Sequence, residues 1–169
     1  MSDNDCMLTS SQTIGPFPHE AWRWAVEAST PPGAAAVVIA GRLLDGAGEP
    51  VNDGWIEAWT PGAVEAGPLP GFRRVPTGEQ GEFVLRLSRA VGCGEPAAHI
   101  TVFARGLLKH QFSAVFLVDT PGLAGSALLT QVPEARRASL LALPDESPGH
   151  YRWDIRLQGE GETVFFDYR

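Results

Sequence analysis

The side chains with the widest chemical repertoire are few in this chain. Its four histidines, His19, His99, His110 and His150, stand at no spacing that a zinc-binding helix or finger uses. His99 and position 101 share one face of an alternating stretch, so a His-x-His ligand pair would need histidine at 101; the residue there is Thr101. The two tyrosines, Tyr151 and Tyr168, both lie close to the C-terminus. A mononuclear metal centre built from this chain alone is therefore not expected. Nucleophilic catalysis finds no better footing. No Gly-x-Ser-x-Gly elbow occurs, and Cys93 stands between Gly92 and Gly94 as in a tight loop, with no histidine that the sequence assigns to it. Glu160 and Glu162, in Gly159-Glu160-Gly161-Glu162, have the spacing of an acid–base pair but read more simply as a turn between Leu157 and Val164.

Two features are left over once packing is accounted for. Ser11-Gln12-Thr13-Ile14-Gly15-Pro16 is a polar, glycine-containing segment next to an acidic N-terminal arm. Arg105 follows an apolar run, precedes Gly106, and shares a strand face with His99, Thr101 and Phe103. A guanidinium in that place offers a planar fork of donors that grips a carboxylate. A solvent-facing strand arginine is the alternative reading.

The elements that must hold these residues are short and mostly extended. Residues 1–11 read as an arm, 16–18 as its stiff Pro-Phe-Pro exit, 19–28 as a short helix and 30–33 as a linker. This divides the chain into an arm with a short helix, 1–33, and one domain, 34–169. Within the domain, 37–44 is an apolar strand ending in the hairpin-type turn Asp45-Gly46-Ala47-Gly48. Residues 55–59 form the next strand, with Trp55, Glu57 and Trp59 on one side. Residues 61–70 and 71–80 read as loop and turn. Phe83, Leu85 and Leu87 alternate with Val84, Arg86 and Ser88, and Ile100, Val102 and Ala104 alternate with His99, Thr101, Phe103 and Arg105. Further strands are expected at 112–118, 152–157 and 163–167, and one helix at 133–143, opened by Pro133 and Glu134. Six or seven short strands and one helix predict an all-β fold: a two-sheet antiparallel β-sandwich with an N-terminal arm and one or two short helices.

Composition narrows the function further. A length of 169 residues suits one domain, and 19 Gly with 14 Pro disfavour a helical bundle. A net charge of −7 gives no electrostatic reason to bind nucleic acid. The longest purely apolar run, 34–40, is far shorter than the ~18 residues of a membrane span, and the acidic start carries no secretory pattern. Cys6 and Cys93 match no redox or metal spacing, so two free thiols in a reducing cytoplasm are expected.

Several segments resemble one family. The tail Tyr151-Arg152-Trp153-Asp154-Ile155-Arg156-Leu157-Gln158-Gly159-Glu160-Gly161-Glu162-Thr163-Val164-Phe165-Phe166-Asp167-Tyr168 closely resembles the C-terminus of α chains of the intradiol ring-cleavage dioxygenases. Ser11-Gln12-Thr13-Ile14-Gly15-Pro16-Phe17 is similar to that family's N-terminal motif. Residues 41–45 and 50–59 resemble its first hairpin. Phe72-Arg73-Arg74-Val75-Pro76-Thr77 with Gly81-Glu82-Phe83 resembles its Phe-x-Arg-x-x-Thr-x-x-x-Gly-x-Phe segment. Ala98-His99-Ile100 followed by Phe103-Ala104-Arg105-Gly106 is similar to the α-chain version of its central strand. The likeness runs from about residue 10 to 169, and the chain is shorter than those α chains chiefly around 61–71.

The resemblance implies a division of labour. Intradiol dioxygenases hold a ferric iron between two Tyr and two His and split a catechol ring between its hydroxyls with dioxygen. In the two-chain branch those ligands lie on a β chain, and the α chain has lost them. Thr101 in place of the second histidine fits the α pattern. The implied cofactor is Fe(III) held by the partner β chain, with no metal ligand on this chain. The implied substrates are protocatechuate and O2. The implied substrate-binding residues are Arg105, Thr13, Gly15 and Pro16, which would help complete the β chain's pocket in a large hetero-oligomer. No catalytic residue is expected on this chain alone. The competing reading is a non-catalytic β-sandwich module for binding or structure. A self-sufficient catechol dioxygenase fails on ligand count.

Overall fold

The computed structural model describes residues 15, 23–29, 35–63, 66–88 and 91–168. Period-two alternation dominates what they form. Nine strands follow in chain order: β1 (Val37–Leu44), β2 (Gly54–Trp59), β3 (Phe72–Pro76), β4 (Glu82–Leu87), β5 (Ala98–Ala104), β6 (Gln111–Leu117), β7 (Leu141–Pro144), β8 (His150–Arg152) and β9 (Ile155–Arg156). They join in the order β3-β2-β5-β6-β7-β8-β1-β4, with β9 added beside β1. One layer is β3-β2-β5-β6 and the other is β8-β1-β4; β7 links them, parallel to β6 and antiparallel to β8. Ile56, Ala58, Ile100, Val102 and Val115 from the first layer meet Ile39, Leu43, Phe83 and Leu85 from the second in one buried cluster. Each large aliphatic or aromatic side chain buried there contributes ~1.5–3 kcal/mol. The expected all-β sandwich is the observed architecture. Its pairing is mixed, because β1–β8, β1–β9 and β6–β7 are parallel alongside the longer antiparallel ladders.

Several segments depart from the sequence expectation. Residues 72–76, expected as turn, form the edge strand β3 against β2. The polar residue Arg73 takes an inward position there and is buried. Its Nε donates to the Arg86 carbonyl at 2.7 Å, so a guanidinium closes the open side of the sandwich between β3 and β4 where an apolar residue would be expected. The helix expected over 133–143 is only the single turn α2 (Glu134–Arg137), followed by a tighter turn at 138–140. Its last residues become β7 because pairing to β6 and β8 outweighs helical propensity. The strand expected over 152–157 is broken at Trp153, whose backbone N–H donates to Ala40 O and whose indole donates to Ser139 O, each at 2.9 Å. Residues 163–167 form no strand beyond a bridge between Phe112 and Phe166. The Asp45 turn is present, its carboxylate accepting from Ala47 and Glu49 N–H. It leads across to the other layer, however, and β1 pairs with β4 instead of β2. Of the helix expected at 19–28, the described part is Arg23–Ala28, here α1.

Candidate functional site

The outward face of the β2–β5–β6 layer carries the residues that the sequence singled out. Antiparallel register sets Glu57 opposite Thr101 and Trp59 opposite His99. On the far side of β5, Thr101 stands opposite Phe112. The same period that buries Ile100 and Val102 therefore turns His99, Thr101 and Phe103 outward. His99 and Thr101 border an open hollow of about 370 Å³, whose other walls include Glu57, Phe112 and Tyr168.

Two polar side chains at the hollow, Glu57 and Ser113, are already engaged. The Glu57 carboxylate accepts from Arg74 Nε at 2.8 Å and from its Nη2, and both side chains are largely buried. Arg74 also lies over the Phe72 ring, and its backbone N–H donates to the Ser29 hydroxyl at 3.0 Å, which ties β3 to the end of α1. The Ser113 hydroxyl donates to Val164 O at 2.8 Å, and Phe166 N–H donates to Phe112 O at 2.7 Å. These two bonds strap the C-terminal tail across β6. The strap brings Tyr168 edge-on to Phe112, with ring centroids 5.3 Å apart, and His110 also meets Phe112 edge-on, at 4.6 Å.

These residues do not fit a ferric ion. Thr101 offers a neutral hydroxyl where a second imidazole would be needed, Glu57 is neutralised by Arg74, and Ser113 is spent on the tail. Among the described residues no group of three His, Cys, Asp or Glu comes together as a metal cluster. No metal-dependent step is assigned to this chain.

His99 is half-buried, and desolvation pulls its pKa below the ordinary histidine value. It is neutral at pH 7. The unfolded chain therefore takes up a proton at His99 before the folded chain does. Stability linked to this group is present above about pH 6.5 and is lost as pH falls through the depressed folded value. The loss of melting temperature between pH 7.5 and 5.5 should accordingly be smaller in His99→Gln than in the parent. Equal losses would show that His99 titrates as in water.

Arg105 lies apart from the hollow. It falls just beyond β5 in a turn, four positions past Thr101 and so roughly 13 Å along the strand direction. Its side chain is 63% exposed, and its Nε meets the Asp53 carboxylate at 3.1 Å. The sequence placed Arg105 on the strand face itself; the structure ends the strand at Ala104. Gly15 is described with a positive φ of 80°, a conformation that favours glycine. Thr13 and Pro16 lie outside the described residues. Sequence reasoning missed the Glu57–Arg74 pair and the Asp53 partner, because both depend on strand register.

No family model matches this chain. It is 35% identical over 190 residues to "Protocatechuate 3,4-dioxygenase alpha chain" of Burkholderia cepacia, with 94% of this chain and 96% of the relative aligned. The chain belongs to the protocatechuate 3,4-dioxygenase alpha-chain family. A second member of that family, from Pseudomonas putida, is 29% identical over 195 residues, covering 95% of this chain and 96% of the relative. Alignments longer than the 169-residue chain mean that these alpha chains carry residues this one lacks. Among solved structures, the dioxygenase domain of a carbohydrate-binding fusion protein from Streptomyces sp. SirexAA-E superposes with a TM-score of 0.57 at 22% identity, covering 78% of this chain and 84% of that one. Catechol 1,2-dioxygenase from Acinetobacter sp. ADP1 gives 0.54 at 18%, over 86% of this chain and 60% of that one. Both likenesses are of fold, and they agree with the sandwich described above.

Proposed function

We propose that this chain is the α subunit of a protocatechuate 3,4-dioxygenase and works only with a protocatechuate 3,4-dioxygenase β chain. The complex cleaves 3,4-dihydroxybenzoate with O2 to 3-carboxy-cis,cis-muconate, a step of aromatic degradation in the β-ketoadipate pathway. Both oxygen atoms enter the product, so the equation balances without a further reductant. Fe(III) on the β chain supplies the redox chemistry. This chain supplies a wall of the neighbouring pocket: Arg105 offers its cation to the substrate carboxylate, and Thr13, Gly15 and Pro16 in the 1–33 arm offer backbone and side-chain contacts.

One observation carries the reading. The alpha-chain family match spans nearly the whole chain, while Thr101 stands at the strand position beside a hollow where Glu57 is paired with Arg74. Compartment follows from the same reading, and we assign the complex to the cytoplasm. No described helix is long and apolar enough to cross a membrane, and Cys93 is a free, exposed thiol.

The isolated chain tests this assignment. It should be colourless and free of stoichiometric iron, because tyrosinate-to-iron charge transfer needs ligands that the chain lacks. Visible absorption and metal analysis read both properties. A coloured, iron-loaded isolated chain would overturn the α-subunit reading.

A further inference from the structure

Register brings one acidic residue to the arginine proposed to read the substrate. Gly54 of β2 pairs with Ala104 of β5, so the next residues outward, Asp53 and Arg105, are brought side by side as the strands end. The Asp53 carboxylate takes the Nε of Arg105 at 3.1 Å. A guanidinium has five N–H donors, and its outer fork is formed by the two terminal amino groups. An acceptor on Nε therefore holds the side chain while leaving the outer fork as the edge that takes a carboxylate in bidentate fashion. Arg105 is 63% exposed and Asp53 33% exposed, so the arginine reaches outward from a more sheltered anchor. A flexible four-torsion side chain loses rotamer freedom on binding, and an arginine already held in place loses less of it.

We propose that Asp53 is a positioning residue for Arg105, fixing the guanidinium through Nε so that its outer fork meets the carboxylate of the aromatic substrate; this rests on the assignment of Arg105 to substrate binding. Asp53 touches no substrate in this account. It acts through Arg105 alone, so its effect must be selective for substrates that carry a carboxylate and must vanish without Arg105.

The test uses the complex assembled with the β chain and compares steady-state oxygen uptake on protocatechuate and on catechol, which has no carboxylate. Asp53→Ala should raise KM for protocatechuate about three- to fivefold, the scale of an exposed ion pair, with kcat and the catechol KM changing little. Asp53→Asn keeps an acceptor oxygen and should recover most of the loss. In an Arg105→Ala background, Asp53→Ala should add nothing, since coupled residues fail to add. Thermal unfolding of each complex separates these effects from loss of fold. A fall in the protocatechuate KM would make Asp53 a competitor for the guanidinium and overturn the proposal. Equal changes for both substrates, or no change, would also overturn it. If Arg105→Ala separates the two substrates but Asp53→Ala does not, only the role of Asp53 fails. If Arg105→Ala itself does not separate them, the carboxylate reading fails and takes this inference with it.

Discussion

Gly41→Ala should abolish accumulation of folded chain. A Cβ at position 41 would lie 1.7 Å from the carbonyl oxygen of Trp153 and 2.7 Å from its carbonyl carbon. Neither atom belongs to a flexible side chain. Both are backbone at the point where the chain leaves β8 and rejoins β1 as β9. Moving that backbone would break the Trp153 N–H bond to Ala40 O and drag the buried indole away from Ser139 O. Strain of this kind costs more than ~4 kcal/mol, a large share of the ~5–15 kcal/mol that a domain has to lose. Soluble yield on coexpression and the melting temperature of any recovered complex read the outcome. Gly125→Ala is the control, because a Cβ there meets nothing within 4 Å. A Gly41→Ala complex as stable as that control would contradict the packing at the β8–β9 break.

Arg105→Ala should damage substrate selection without touching the metal. Losing one charge-assisted hydrogen bond costs ~1.5–3 kcal/mol, about tenfold to over a hundredfold in the affected constant. In the assembled complex the KM for protocatechuate should rise by that factor, and the KM for catechol should rise far less. Iron content should hold, since Arg105 is not a ligand. Equal losses on both substrates would mean that Arg105 shapes the pocket or the interface. No loss on either would return it to an ordinary exposed arginine paired with Asp53.

Legibility in the sequence followed local periodicity. The alternation in β5 was readable because every second residue from Ala98 to Ala104 is apolar and buried, and this put His99 and Thr101 on the outward face. β4 was readable for the same reason. β3 was not, because Arg73 fills an inward place and satisfies its guanidinium on carbonyls and a hydroxyl instead of on apolar neighbours. β7 was hidden in a helical pattern, since its strand character comes from partners far away in sequence. At the site, the shared outward face of His99 and Thr101 was visible in the alternation. The buried Glu57–Arg74 pair was not, because the two residues are 17 positions apart and meet only through the β2–β3 register. The tail looked like a strand, yet its hydrogen bonds go to Phe112 O and to the Ser113 and Ser139 side chains.

The most direct test of the account is oxygen uptake in the fraction captured through this chain. Exposed Trp24, Leu108, Leu143 and Tyr168 leave apolar surface that an obligate interface of ~2,000 Å² or more would cover. Coexpression with the β chain should give a defined hetero-oligomer whose iron tracks the β chain and whose oxygen consumption depends on protocatechuate. The chain captured without a β chain should consume none. Protocatechuate-dependent oxygen uptake by this chain alone, or a coexpressed β chain that never copurifies with it, would contradict the account.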